Sequence, residues 1–358
     1  MNDIDKYLKR IIEKDKSPSV QYYLFNSENI IHHFSAGYAD IANQIKADEN
    51  TKYSAFSVTK TFTALAVLQL AEQGKIDLNN PIKDYLHDFP YNSAITIKQL
   101  LSHSAGIPNP IPLSWIHLVS EHNHFNREEF FKEIFNNNIK TKSEPNEKFR
   151  YSNLGYIILG QLIEKVSGKT FEQYLNNNII KQINIDNEQI GFTLDTTSKY
   201  AKGYHKKMSF TYFILGWFLD KDKFIEKQEK SWMSFKKFYV NGASYGGLIG
   251  TPLSFVRYIQ VLLKSESRII SADYKKIMFT ENITNNGKPT GMCLSWFKGN
   301  LKGKKYFCHA GGGGGYYCEI RFYPNEGIGS VIFLNRTGMS DERILDQIDD
   351  HYFKHTQR

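Results

Sequence analysis

The chain has 358 residues, 41% hydrophobic and 23% charged, ordinary proportions for a soluble globular protein with a large core in one domain or two lobes. Its net charge of +8 is carried by scattered lysines and arginines, with small clusters at 202–207 and 302–305. No nucleic-acid-binding motif accompanies them, so a generally basic surface is expected and no nucleic-acid partner.

Ile4, Leu8, Ile11 and Ile12 lie on one side of residues 3–14, the spacing of an amphipathic helix. Residues 20–25 and 30–36 read as strands separated by Asn26-Ser27-Glu28-Asn29, which predicts a hairpin. Ser57 then opens a long apolar helix that should stop at Gly74. Residues 75–200 read mainly as helices and loops, with a helix over 153–166 closed by Ser167-Gly168. Residues 252–264 and 340–353 also read as helices. Between them, residues 292–297, 306–309, 316–323 and 329–334 are short, aromatic or β-branched, and joined by Gly or Pro turns, as strands are. Strands at both ends with helices between predict an α/β fold of the α+β type. One antiparallel sheet would be built from both chain ends, flanked by helices, with a mainly helical lobe inserted. The expected limits are 1–62 and 240–358 for the sheet lobe and 63–239 for the helical lobe.

The cysteines Cys293, Cys308 and Cys318 fall in the predicted C-terminal strands. Their odd count, without a regular framework, argues against a disulfide scaffold and for buried free thiols in a reducing compartment. No apolar run of signal-peptide length follows Met1, and no segment reaches the roughly 18 apolar residues of a spanning helix. A cytoplasmic protein with no integral membrane segment is expected. The sequence sets no oligomeric state.

Ser57-Val58-Thr59-Lys60 leads into the apolar run from Thr61 to Leu68. A lysine inside an apolar helix is costly in its charged form. A readily deprotonated amine one helical turn from a hydroxyl is what a serine nucleophile needs. The helix N-terminus would favour a developing oxyanion. Ser-x-x-Lys recurs at Ser234 to Lys237 and at Ser295 to Lys298, but only Ser57 starts a long apolar helix.

Tyr151-Ser152-Asn153 stands just before the second long helix. Tyr151 is either a packed aromatic or a phenol whose pKa a nearby lysine lowers, able to take a proton. Asn153 is either a helix cap or a ligand. His309-Ala310-Gly311 begins a run of glycines ending at Gly315. That run is either a flexible hairpin loop or a place where backbone approaches a ligand and offers an N–H to an oxyanion. His122-Asn123-His124 alternates as metal ligands do, but no nearby carboxylate or cysteine completes a site, so a polar loop and no metal are expected.

These elements resemble the penicillin-recognising serine hydrolases, in particular the class C β-lactamase-like branch of β-lactamases, D-alanyl-D-alanine carboxypeptidases, D-aminopeptidases, esterases and acyltransferases. Phe56 to Lys60, Leu100-Leu101-Ser102-His103-Ser104-Ala105-Gly106-Ile107-Pro108, Tyr151 to Tyr156 and Gly246-Gly247-Leu248-Ile249-Gly250-Thr251 look like family landmarks in the family's order. The resemblance implies a cofactor-free hydrolase of esters or amides, including D-residue peptides, working through an acyl-enzyme. Ser57 would attack, and Lys60 and Tyr151 would share the proton. Asn153 would bind the substrate amide or hold Lys60. His309 and Gly311 would line the substrate edge, and the N–H groups of Ser57 and Gly312 would form the oxyanion hole. The substrate would be a small molecule or short peptide. An acyltransferase, or a non-catalytic protein that recognises peptides or muropeptides, are the alternatives.

One departure matters. His309-Ala310-Gly311 stands where class C β-lactamases usually carry Lys-Thr-Gly, which removes an ammonium and a hydroxyl expected to hold a substrate carboxylate. Arg321 and Arg336 are candidates to replace the charge, and efficient β-lactam hydrolysis is not expected. Residues 208–219 are strongly apolar and aromatic, flanked by Lys206, Lys207, Lys221 and Lys223. They read as packing over the helical lobe, as a lid or acyl-binding wall with Phe210, Phe213, Trp217 and Phe218 on the substrate, or as a peripheral membrane contact.

Overall fold

The computed structural model describes residues 2–185, 189–194, 199–337 and 343–356. Its largest sheet has seven strands, all antiparallel. From one edge they are Phe297–Leu301, Lys304–Gly313, Tyr316–Tyr323, Ile328–Leu334, Ser19–Asn26, Ile30–Asp40 and Ile45–Lys46. Val20 lies opposite Leu334 and Asn26 opposite Ile328, so the sheet is closed in its middle by the two ends of the chain. This is the expected fold class.

Side chains alternate across a strand, and each face of the sheet has its own core. Tyr22, Leu24 and Ile332 share one core with Ile4, Leu8 and Ile11 of the helix Asn2–Glu13 and with Leu345 and Ile348 of the helix Ile344–Thr356. The predicted start of that last helix at 340–342 lies outside the described residues. Tyr23, Phe25, Val331 and Phe333 belong to the larger core. It includes Phe255, Val256 and Ile259 of the helix Pro252–Leu263, and the apolar residues of the helix Thr59–Glu72. Every residue of Thr59–Glu72 except Glu72 is buried, the mark of a helix enclosed on all sides.

The middle of the chain carries helices and also short strands that the sequence did not announce. Ile116–Leu118 pairs with Phe238–Val240. Arg336–Thr337, Tyr204–Lys206, Trp232–Phe235 and Ile225–Glu229 form a small four-stranded sheet. These runs are two to five residues long, too short for a period-two pattern to register.

Three local expectations are corrected. Residues 292–297 are not a strand: Met292 bridges Phe297 and Cys293 N–H donates to Trp296 O at 2.8 Å, around a Ser295 held at φ +70°. Cys293 therefore sits in a turn, while Cys308 and Cys318 lie in strands, and all three thiols are buried and free. The glycine run is not simply a loop either. Gly311 to Gly313 continue the strand Lys304–Gly313, and only Gly314 and Gly315 make the turn, at φ +44° and +94°.

Candidate active site

Ser57 occupies a single 3-10 turn, Phe56–Val58, immediately before the helix Thr59–Glu72. Phe56 has φ +43°, a costly value for a residue with a Cβ, so the turn must be held from outside. Ala55 N–H donates to Leu248 O at 2.8 Å, and Leu248 N–H donates to Thr59 Oγ1 at 3.1 Å. Tyr53–Ser54 pairs with Ile249–Gly250. The Gly246 to Thr251 landmark is thus the clamp on the serine turn. From the other side comes Gly311. A Cβ there would stand 2.1 Å from Ala55 O and 3.0 Å from Ser57 N, so only glycine lets the strand come this close.

Lys60 is fully buried one turn on. Its Nζ lies 3.0 Å from Ser57 Oγ and donates to Tyr245 O at 2.8 Å. Burial holds this amine well below the ordinary lysine value, and among the described residues no carboxylate pairs with it. The ring centroids of Tyr151, Tyr245 and Tyr156 lie 5.0, 5.3 and 5.6 Å from Nζ. Their faces return some stability to the ammonium form. The amine is therefore placed to exchange a proton with the neighbouring hydroxyl.

The turn that carries Tyr151 is built against the Leu100 to Pro108 landmark. Arg150 N–H donates to His103 O at 2.7 Å and Ser152 N–H donates to His103 Nδ1 at 3.2 Å. Ser152 Oγ donates to Pro108 O at 2.9 Å, and Tyr156 OH donates to Leu101 O at 2.8 Å. The His103 ring lies on Tyr151, with centroids 4.3 Å apart. The cap of the helix Asn153–Ser167 is Ser152, whose Oγ accepts from Gly155 N–H at 3.1 Å. Asn153 is the first helical residue, not the cap. Its Oδ1 is buried without a hydrogen-bond partner among the described residues, and Asn153 lines a cavity beside Ser57. It is not hydrogen-bonded to Lys60, whose partners are Ser57 and Tyr245.

His309 is buried on the strand that carries Gly311 and Gly312. Its Nδ1–H donates to Ala310 O at 2.8 Å, which leaves Nε2 as a buried lone pair without a partner among the described residues. Burial, helped by the nearby Lys60, holds this imidazole down to about 3. The position is thus uncharged at neutral pH, a stronger departure from a lysine than the sequence alone conveys. Neither proposed substitute for the lost charge is in the site. Arg321 is fully buried against Glu319, Asp346 and Asp349. Arg336 donates to Lys16 O and Thr337 O, and lines neither cavity at Ser57. Arg343, which no motif in the sequence singles out, lines a cavity together with Ser57 and His309. It stands just before the last helix.

Two cavities meet at Ser57, Tyr151, Gly312 and Gly313. One, of about 600 Å³, is bordered by His309, Tyr317, Glu319 and Arg343. The other, of about 500 Å³, is walled by Phe56, Ile111, Ile116, Leu215, Phe218 and Leu219. Of the four aromatic residues expected to meet substrate, Phe218 lines the second cavity, and Phe210, Phe213 and Trp217 line neither. Phe210, Phe213 and Trp217 are 66–77% exposed. The reason is helical spacing. Thr211, Ile214, Leu215 and Phe218 turn inward from the helix Phe210–Leu215 and the turn after it, while residues 210, 213 and 217 share the other side.

The remaining motifs stand apart from this corner. Ser234 Oγ bonds Lys227 O and Glu226, and Lys298 pairs with Glu281. His122 Nδ1 meets His117 Nε2 at 2.9 Å within a stacked pair of rings. Among the described residues no group of three His, Cys, Asp or Glu side chains is arranged to hold a metal ion.

Solved structures with this architecture include an octameric penicillin-binding protein homologue from Pyrococcus abyssi, with TM-score 0.80 and 22% identity over 99% of this chain and 77% of that one. The D-amino acid amidase of Ochrobactrum anthropi, solved with L-phenylalanine amide, has TM-score 0.79 and 17% identity over 100% of this chain and 99% of its own. At these identities the likeness concerns the fold alone. The chain belongs to the Beta-lactamase family, whose model matches residues 4–352. Among curated proteins, Protein flp of Staphylococcus aureus is 30% identical over 206 residues, 56% of this chain and 40% of that protein. A penicillin-binding protein of Bacillus subtilis is 25% identical over 293 residues, 80% of this chain and 61% of that protein. The chain thus matches less than two thirds of the length of each relative.

Proposed function

We propose that this protein is a metal-independent serine hydrolase that cleaves esters or amides bearing an apolar group on the acyl side, through an acyl-enzyme on Ser57. The observation behind this reading is the 3.0 Å contact between Ser57 Oγ and the buried, carboxylate-free Lys60 amine, at the mouth of two cavities. Ser57 Oγ attacks the carbonyl carbon while its proton passes to Lys60, with Tyr151 sharing the transfer. The N–H groups of Ser57 and Gly312 receive the oxyanion. The tetrahedral adduct collapses, the C–O or C–N bond breaks, and the stored proton leaves with the alcohol or amine. Water then attacks the acyl carbon and passes a proton to the same groups; the bond from that carbon to Ser57 Oγ breaks, the proton returns to Oγ and the acid is freed. Asn153 Oδ1, buried and unpartnered, is available to a substrate amide N–H. The apolar cavity would take the acyl chain, at about 0.8 kcal/mol per buried CH₂. The neutral His309 speaks against efficient β-lactam turnover. The likeness to a D-amino acid amidase supports amides beside esters.

The test is labelling with a fluorophosphonate, read by intact mass and peptide mapping, beside a nitrophenyl ester series of rising chain length. One adduct on Ser57, none in Ser57→Ala, and a preference for medium chains over acetate are expected. An adduct elsewhere refutes the site, and transfer to an added alcohol instead of water makes the protein an acyltransferase. Absence of any adduct makes it a binding protein.

A further inference from the structure

Phe210, Phe213 and Trp217 lie on the outward side of the segment whose inward side walls the apolar cavity. They are 77%, 66% and 73% exposed, and Met208 beside them is 90% exposed. Five of the eleven large apolar side chains exposed among the described residues fall between 208 and 218, so the patch is a concentration and not ordinary surface scatter. Four lysines border it, at 206, 207, 221 and 223, against two aspartates, Asp220 and Asp222. Lys206 pairs with Asp15 and Lys223 with Glu121. Among the described residues Lys207 bonds the neutral Gln228 and Lys221 lies 4.2 Å over the Tyr212 ring, and neither pairs with a carboxylate, so both bring positive charge to the rim.

We propose that this outward face docks the protein on an anionic lipid bilayer, with Phe210, Phe213 and Trp217 in the interface and the flanking lysines among the headgroups. Exposed Trp and Phe beside lysines is the composition of segments that lie in a membrane interface. The overall charge of +8 adds attraction to an anionic surface. A second copy of the chain fits less well. A stable dimer takes about 20–30 residues a side, and this tip offers four large apolar ones. Docking would set the mouth of the apolar cavity, where Ile111 is 54% exposed, next to the lipid.

The chain supplies its own reporter. Trp115, Trp232 and Trp296 are buried, so Trp217 is the exposed tryptophan of the four. With vesicles of equal parts phosphatidylglycerol and phosphatidylcholine, the full chain should co-sediment and its emission should shift to the blue. Pure phosphatidylcholine vesicles should bind less, and high salt should weaken binding. The triple variant Phe210→Ser, Phe213→Ser, Trp217→Ser should partition roughly tenfold less or worse, with unchanged circular dichroism. Trp217→Phe should still bind but lose the blue shift. The proposal is overturned if wild type ignores anionic vesicles, if the triple variant binds as wild type does, or if the shift persists in Trp217→Phe. It is also overturned if the patch instead drives concentration-dependent self-association without lipid. Binding is read without turnover, so its failure leaves the hydrolase reading untouched.

Discussion

Lys60 and Arg321 are both fully buried cationic side chains, and their surroundings are opposite. Arg321 contacts Glu319 and Asp346 at 2.6 Å and Asp349 at 3.8 Å, with the Tyr306 ring 4.0 Å from its guanidinium carbon. Burial pushes Glu319 up to about 7, and Arg321 pulls it back. Arg321 keeps its charge and ties the strand Tyr316–Tyr323 to the last helix. Lys60 has aromatic rings, one carbonyl and a serine hydroxyl around it, and its amine is driven toward the neutral form. A buried cation with its counter-charge is architecture. A buried amine without one is held in a state it would not choose in water, and such groups gather at functional sites.

The comparison breaks most visibly at Lys60. Lys60→Met should cut ester turnover by about 10² to 10⁴ while the thermal midpoint stays level or rises, because an uncompensated amine is exchanged for an apolar chain. Wild-type turnover in this variant, measured on the same nitrophenyl ester, would make the lysine structural. Arg321→Met should do the reverse. It leaves Glu319 and Asp349 buried without their cation, at about 3–5 kcal/mol of stability, read as a lower urea midpoint, with turnover of the folded fraction preserved. Loss of turnover without loss of stability would erase the distinction.

A smaller effect sharpens it through pH. His103 and His309 are both lowered by burial, with Lys60 adding to each, His309 down to about 3. Below pH 6.5 the unfolded chain protonates these imidazoles and the folded chain does not, so stability is complete above that pH and is lost as pH falls. Each contributes a slope of about 1.4 kcal/mol per pH unit, continuing toward the folded value. His309→Gln should remove one such slope between pH 6.5 and 5, measured by urea denaturation at each pH. An unchanged slope would mean that His309 takes up a proton in the folded state.

Much of the site was legible in one dimension because its parts carry local signals. Ser57 and Lys60 are one turn apart, and the mostly apolar run behind them predicts a helix in the core. Other parts left only partial signs. Asn153 looked like the cap, because Ser152 and Asn153 are both good capping residues and only the backbone distinguishes them. The Leu100 to Pro108 stretch gives no sign of what His103 does, since its contact with Tyr151 crosses 48 residues of chain. Phe210, Phe213 and Trp217 were grouped with Phe218 by composition, and helical rotation separated them.

By itself the sequence determined the antiparallel sheet built from both ends, the enclosed helix and the serine–lysine pair. Each follows from a period, a turn residue or a spacing within one element. Tertiary structure decided the charge states and the shape of the site. Whether a buried lysine or arginine keeps its proton depends on which carboxylates the packing brings to it, and for Arg321 the last helix adds Asp346 and Asp349 to Glu319 of its own strand. The clamp on Ser57 from Leu248 and Gly311, like the apolar wall from Ile111 and Leu215, joins residues far apart in the chain. Only the folded packing brings those groups within reach of one another.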